Sequence, residues 1–139
     1  MAVSVITERM ATSSLQEAGS VRPSTGNLGS MVEMISVQKL SDLLGTGNFD
    51  VVDVRDEHEW SAGHIPGARP LPLDQLRSDP DAALPQKDGL IFVCAKGVRS
   101  MTAAKLAQRL GYTTIYSLDG GTNAWMRSGH ELVVERRAA

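Results

Sequence analysis

LIFVCAKGVRSMTAAKLAQRL, residues 90–110, reads as a strand, a short loop that carries the single cysteine, and a helix. Leu90 to Val93 is a continuous apolar run, the pattern of a parallel strand covered on both faces. From Ser100 to Leu110, Ala103, Leu106, Ala107 and Leu110 recur at helical spacing, while Lys105, Gln108 and Arg109 face the other way and Gly111 supplies a stop. Outward from this unit the same alternation repeats. Strands are predicted at Ile35 to Val37, Phe49 to Val54, Ala68 to Leu71 and Thr113 to Leu118. Helices are predicted at Gln38 to Leu44, Glu57 to Ala62 and Thr122 to Arg127, with a Pro-interrupted connection of a helical turn or more in Leu73 to Leu84. Alternating strands and helices imply an α/β fold with a parallel sheet.

The chain has 139 residues, 42% hydrophobic and 22% charged, with a formal net charge of −2. This is one domain's worth of ordinary globular sequence. There is no basic field for nucleic-acid binding. The longest apolar run, Leu90 to Ala95, is far short of the about 20 residues that cross a bilayer. Neither nucleic acid nor a membrane is an expected partner. Residues 1–32 are rich in Ser, Thr and Gly without apolar period and read as a flexible N-terminal tail, 33–130 as the domain, and 131–139 as a C-terminal tail. A lone cysteine closes no intramolecular disulfide, which fits a reducing cytoplasm.

The position of Cys94 points to chemistry. It follows a central strand and precedes a helix, the place where open α/β sheets bind ligands. If the loop Cys94-Ala95-Lys96-Gly97-Val98-Arg99 curls around the sulfur, its N–H groups converge there, and Gly97 can take the positive φ that the curl requires. Together with Lys96 and Arg99 this makes an anion-favouring pocket holding an ionised, solvent-open thiolate. The competing reading is a small apolar residue ending a buried strand, with Lys96 and Arg99 as solvated charges.

Three blocks, VVDVRDEHEWSAGHIPGARPLPL (Val51 to Leu73), VCAKGVRS (Val93 to Ser100) and LDGGTNAW (Leu118 to Trp125), resemble in order and spacing the rhodanese-homology domain. The resemblance covers about Ile35 to Gly129. It implies a doubly wound, mainly parallel five-stranded sheet with helices on both faces. It also implies thiosulfate sulfurtransferase chemistry: Cys94 carries a persulfide from a small anionic donor such as thiosulfate to a thiophilic acceptor such as cyanide, a thiol or a sulfur-carrier protein. Cys94 is then the nucleophile, and Lys96, Arg99 and the loop residues Ala95, Gly97 and Val98 bind the substrate. No metal or organic cofactor is expected, and without a second cysteine the sulfur leaves to an external nucleophile.

By the family's Asp-x-Arg signature, Asp53 and Arg55 are expected to brace the site, with a structural ion pair as the alternative. Glu59 and His64 belong to a stretch that the family uses structurally, so His64 is read as a turn-stabilising residue. Asp119, Gly120 and Gly121 read as turn chemistry, Trp60, Ile65 and Trp125 as core, and no role is assigned to His58 or His130. Cysteine phosphatases place five residues between Cys and Arg, whereas four separate Cys94 from Arg99, and Val93 stands where those enzymes generally have His. Sulfur transfer is therefore favoured over phosphatase or arsenate reductase activity. A non-catalytic or partner-dependent module that docks a protein and relays sulfur is the alternative of a different class.

Overall fold

The computed structural model describes residues 32–134. Strand β4 (Leu90–Val93) is central, with β2 (Asp50–Asp53) on one side and β5 (Ile115–Leu118) on the other; β3 (Arg69–Pro70) and β1 (Val32–Ile35) form the edges. The order is β1-β5-β4-β2-β3, and every pairing is parallel. The helices are α1 (Val37–Leu44), α2 (Glu57–Ala62), α3 (Leu73–Ser78), α4 (Pro80–Ala83), α5 (Val98–Arg109) and α6 (Gly121–Arg127).

Two cores lie against the two faces of the sheet, and β4 serves both. Leu90 and Phe92 pack in the layer with Ala103, Ala104 and Ala107 of α5 and Leu76 of α3. Ile91 and Val93 pack in the other, with Leu40 of α1, Ile65 and Trp125 of α6. Because strand side chains alternate between faces, a strand buried on both sides must be apolar at every position, and all four residues of β4 are 0% exposed. The fold is thus a doubly wound α/β sheet: the alternation of strands and helices implies the parallel sheet, and the family resemblance implies the double winding.

Several boundaries differ from the sequence reading. Strand β1 begins three residues earlier and ends at Ile35, because the Ser36 hydroxyl accepts from the Lys39 N–H at 3.1 Å and caps α1, drawing Val37 into the helix. Helix α5 begins at Val98 rather than Ser100. The Leu73 to Leu84 connection resolves into α3 and α4. Residues 131–134, read as the start of a tail, lie against the domain: His64 and Val133 form an antiparallel bridge with bonds of 2.9 and 2.8 Å, and the Trp125 indole donates to the Glu131 carbonyl. The remainder of both predicted tails, 1–31 and 135–139, lies outside the described residues. Among the described residues no helix is long and apolar enough to cross a membrane.

Candidate active site

The loop after β4 turns tightly around its own sulfur. Gly97 has φ +106°, a left-handed conformation that side chains rarely adopt, and this turns the chain into α5. Its N–H then donates to Cys94 Sγ at 3.0 Å, and the Ser100 N–H donates at 3.3 Å. The loop's carbonyls go elsewhere. The Cys94 carbonyl accepts from the Thr122 N–H at 2.8 Å, and the Ala95 carbonyl accepts from the Asn123 N–H at 3.1 Å, so the first turn of α6 is satisfied by the loop backbone. This close approach is possible because residue 121 is glycine: a Cβ there would overlap the Cys94 carbonyl oxygen and the Ala95 carbonyl group. Carbonyls held outward and amides turned inward make the nest expected for an anionic sulfur.

Cys94 is 1% exposed, which corrects the expectation of a solvent-open thiol. Helix α6 covers its backbone, and the loop wraps its sulfur. Access runs through a pocket of about 330 Å³ lined by Glu59, Cys94, Ala95, Lys96, Val98 and Arg99. Burial pushes the thiol pKa up. The Ser100 hydroxyl and the N–H groups of Ser100, Gly97 and Lys96 push it down further, leaving the thiol more acidic than an ordinary cysteine. The sulfur is therefore buried by area, yet its residue lines a pocket of mixed polar and apolar groups.

The two predicted cations behave differently. Arg99 lines the pocket, but its guanidinium is held by Glu59, at 2.9 Å from Nη1 to Oε1 and 3.3 Å from Nη2 to Oε2. This grip raises the arginine pKa and, with the Arg99 hydrogen bond as the leading cause, lowers that of Glu59 from 4.5 to about 2. Arg99 is thus a partly neutralised cation, not the unengaged one expected from the sequence. Lys96 is exposed at the mouth and has no ion-pair partner among the described residues. Glu59 was missed as a pocket residue. Its sequence signal, Asp56-x-x-Glu59, indicates a helix cap, and Oε1 does accept from the Asp56 N–H at 2.9 Å, but nothing local announces a partner 40 positions away.

Asp53 and Arg55 do not line the pocket. They pair with each other, Nη2 to Oδ2 at 2.7 Å, and Arg55 also donates to the Gly63 carbonyl at 2.7 Å. This ties the end of β2 to the turn after α2, the helix that carries Glu59. His64 stacks on Trp60 with ring centroids 3.8 Å apart, and its Nδ1 lies 2.9 Å from the Trp60 carbonyl, away from the thiol loop. His130, given no role above, stacks on Trp125. Among the described residues no group of three or more His, Cys, Asp or Glu side chains is arranged to hold a metal.

The sequence and the fold have counterparts in known proteins. The family model for the rhodanese-like domain matches residues 36–128. The chain belongs to the rhodanese-like family. The domain is 39% identical over 75 residues to the uncharacterized protein YqhL of Bacillus subtilis, which covers 54% of this chain and 59% of the relative. It is 33% identical over 105 residues to human thiosulfate:glutathione sulfurtransferase, covering 66% and 91%. A solved structure from Rhodopseudomonas palustris, RPA3614, described as of unknown function and a possible tyrosine phosphatase, superposes with a TM-score of 0.66 at 32% identity, covering 73% of this chain and 85% of that one.

Proposed function

We propose that this rhodanese-like domain is a sulfurtransferase that works through a persulfide on Cys94. The observation that carries the reading is the inward turn of the Gly97 and Ser100 N–H groups onto a thiol of lowered pKa whose residue lines an open pocket. In the first half-reaction the Cys94 thiolate attacks the outer sulfur of a small anionic donor such as thiosulfate. A sulfur–sulfur bond forms to Cys94, the donor's own sulfur–sulfur bond breaks, and sulfite leaves with the electron pair. In the second, a thiophilic acceptor such as cyanide or a thiolate attacks the terminal sulfur and returns Cys94 as thiolate. Charge is conserved in each step, and no proton need be abstracted.

The residues divide this work by position. The loop amides stabilise the anionic sulfur before and after transfer, and Lys96 at the mouth, with Arg99 behind it, favours approach of the negative donor. Asp53 and Arg55 hold α2, and with it Glu59, in register with the loop. Thiol chemistry of this kind requires a reduced Cys94 between turnovers, which a reducing compartment such as the cytoplasm supplies.

Intact mass after incubation with thiosulfate tests the reading. Cys94 gains one sulfur, about 32 Da, and cyanide removes it as thiocyanate. An unchanged mass together with no thiocyanate, across a panel that also includes thiol persulfides as donors, overturns it. Turnover of a phosphate ester in the same panel would assign the pocket to phosphatase chemistry instead.

A further inference from the structure

Beside the sulfur lies a pair of hydroxyls: that of Ser100, already counted among the groups that bond the sulfur, and that of Ser117, which the reaction above does not use. Ser117 sits in β5 between Tyr116 and Leu118 and is 0% exposed, as is Ser100 on α5. Their Oγ atoms are 2.9 Å apart, and Ser100 Oγ is 3.5 Å from Cys94 Sγ and 3.2 Å from the Gly97 carbonyl oxygen. A hydroxyl in the middle of an apolar sheet is costly unless bonded, and among the described residues Ser100 Oγ is the partner that Ser117 Oγ has.

Counting hydrogens sets the direction. Each hydroxyl donates once and accepts up to twice. Were Ser100 to donate to Ser117, the Ser117 hydrogen would be left buried without an acceptor. Ser117 therefore donates to Ser100, which leaves the Ser100 hydrogen for the Gly97 carbonyl when Cys94 is a thiol, and for the sulfur when it is a thiolate. A donor feeding the Ser100 oxygen also polarises its O–H and strengthens what that bond gives to the sulfur.

We propose that Ser117 is a positioning residue for Cys94: its hydroxyl, acting through Ser100, commits the Ser100 hydrogen to the charged sulfur. The importance of this relay for turnover rests on the persulfide mechanism above, but the relay itself is testable without any sulfur donor. The charged groups around the sulfur are Lys96 in the loop, Arg99 on α5 and Glu59 on α2; Asp119, just past β5, is exposed. All four are kept in every variant below.

The experiment is titration of the thiolate by its ultraviolet absorbance against pH in the full chain. Ser117→Ala moves the titration to higher pH and lowers the thiolate fraction at neutral pH roughly 2- to 10-fold, the scale of one lost hydrogen bond. Ser100→Ala moves it at least as far, and the double variant moves no further than Ser100→Ala, because the outer hydroxyl acts only through the inner one. Ser117→Thr and Ser117→Val have the same shape, so packing disturbs them equally; only the threonine keeps the wild-type titration. An unmoved titration in Ser117→Ala, shifts that add in the double variant, or coincident titrations of the Thr and Val variants would each overturn the proposal. Failure of sulfur loading with these shifts intact overturns the sulfurtransferase reading alone.

Discussion

One carboxylate, Glu59, holds both the Asp56 N–H at the start of α2 and two nitrogens of Arg99 at the pocket. Its pKa of about 2 in the folded chain lies below the ordinary 4.5, so in acid the unfolded chain takes up the proton first. The stability this group contributes is full above pH 4.5 and is lost as pH falls through about 2. Glu59→Gln removes that part of the acid sensitivity: the urea midpoint of the wild type falls more steeply than that of the variant between those limits. Equal slopes would show that the ion pair contributes nothing there, the common outcome for pairs open to solvent. The same substitution releases Arg99 to face an incoming anion. At the residue scale the gathering of Cys94, Lys96 and Arg99 about one pocket was legible in the sequence, since they stand within six positions between a strand and a helix. That one cation is gripped by a carboxylate 40 positions away was not.

At the scale of elements, the loop is shaped as much by α6 behind it as by its own residues. Gly121 combines φ +59° with no room for a Cβ, whereas Gly67, at φ +84°, has nothing within 4 Å of one. Gly67→Ala therefore meets only backbone strain, about 1–2 kcal/mol. Gly121→Ala meets strain and overlap with the loop carbonyls, at least about 2–4 kcal/mol together. Urea unfolding measures both costs, and the Cys94 titration reports whether the amide nest survives. Similar costs at the two glycines, with an unmoved titration, would show that α6 does not set the loop. The sequence marked Gly120 and Gly121 as a turn; Gly120 is the turn that caps α6, while Gly121 is the first residue of that helix, and the need for glycine at 121 comes from the loop packed against it.

Over the whole molecule, Asp53 and Arg55 join the sheet to the α2 segment from a buried position, with Asp53 0% and Arg55 6% exposed. Arg55→Met leaves the Asp53 carboxylate buried without its partner and costs about 3–5 kcal/mol. Asp53→Leu combined with Arg55→Met, which removes both charges, costs less than Arg55→Met alone. Thermal unfolding of the two variants compares them directly; both lack the bond from Arg55 to the Gly63 carbonyl, so a double variant less stable than the single would show that the carboxylate, which still accepts the Arg55 backbone N–H, is not the source of the cost.

The chain's own pattern determined the α/β class, the central strand and the thiol at its carboxyl end. An apolar run of strand length followed by a helical period can be buried in few ways, and glycine in the loop permits the curl. Edge strand β1 was misplaced because Glu33 and Met34 are exposed and leave no apolar pattern to read; its pairing with β5 is made by backbone. Tertiary structure alone decided that the sulfur is sheltered beside a pocket, that Glu59 meets Arg99, that Ser117 lies under Ser100 and that α6 holds the loop carbonyls. Each is a contact between residues distant along the chain, fixed by the packing of both helical layers on one sheet and carried by no local period or spacing.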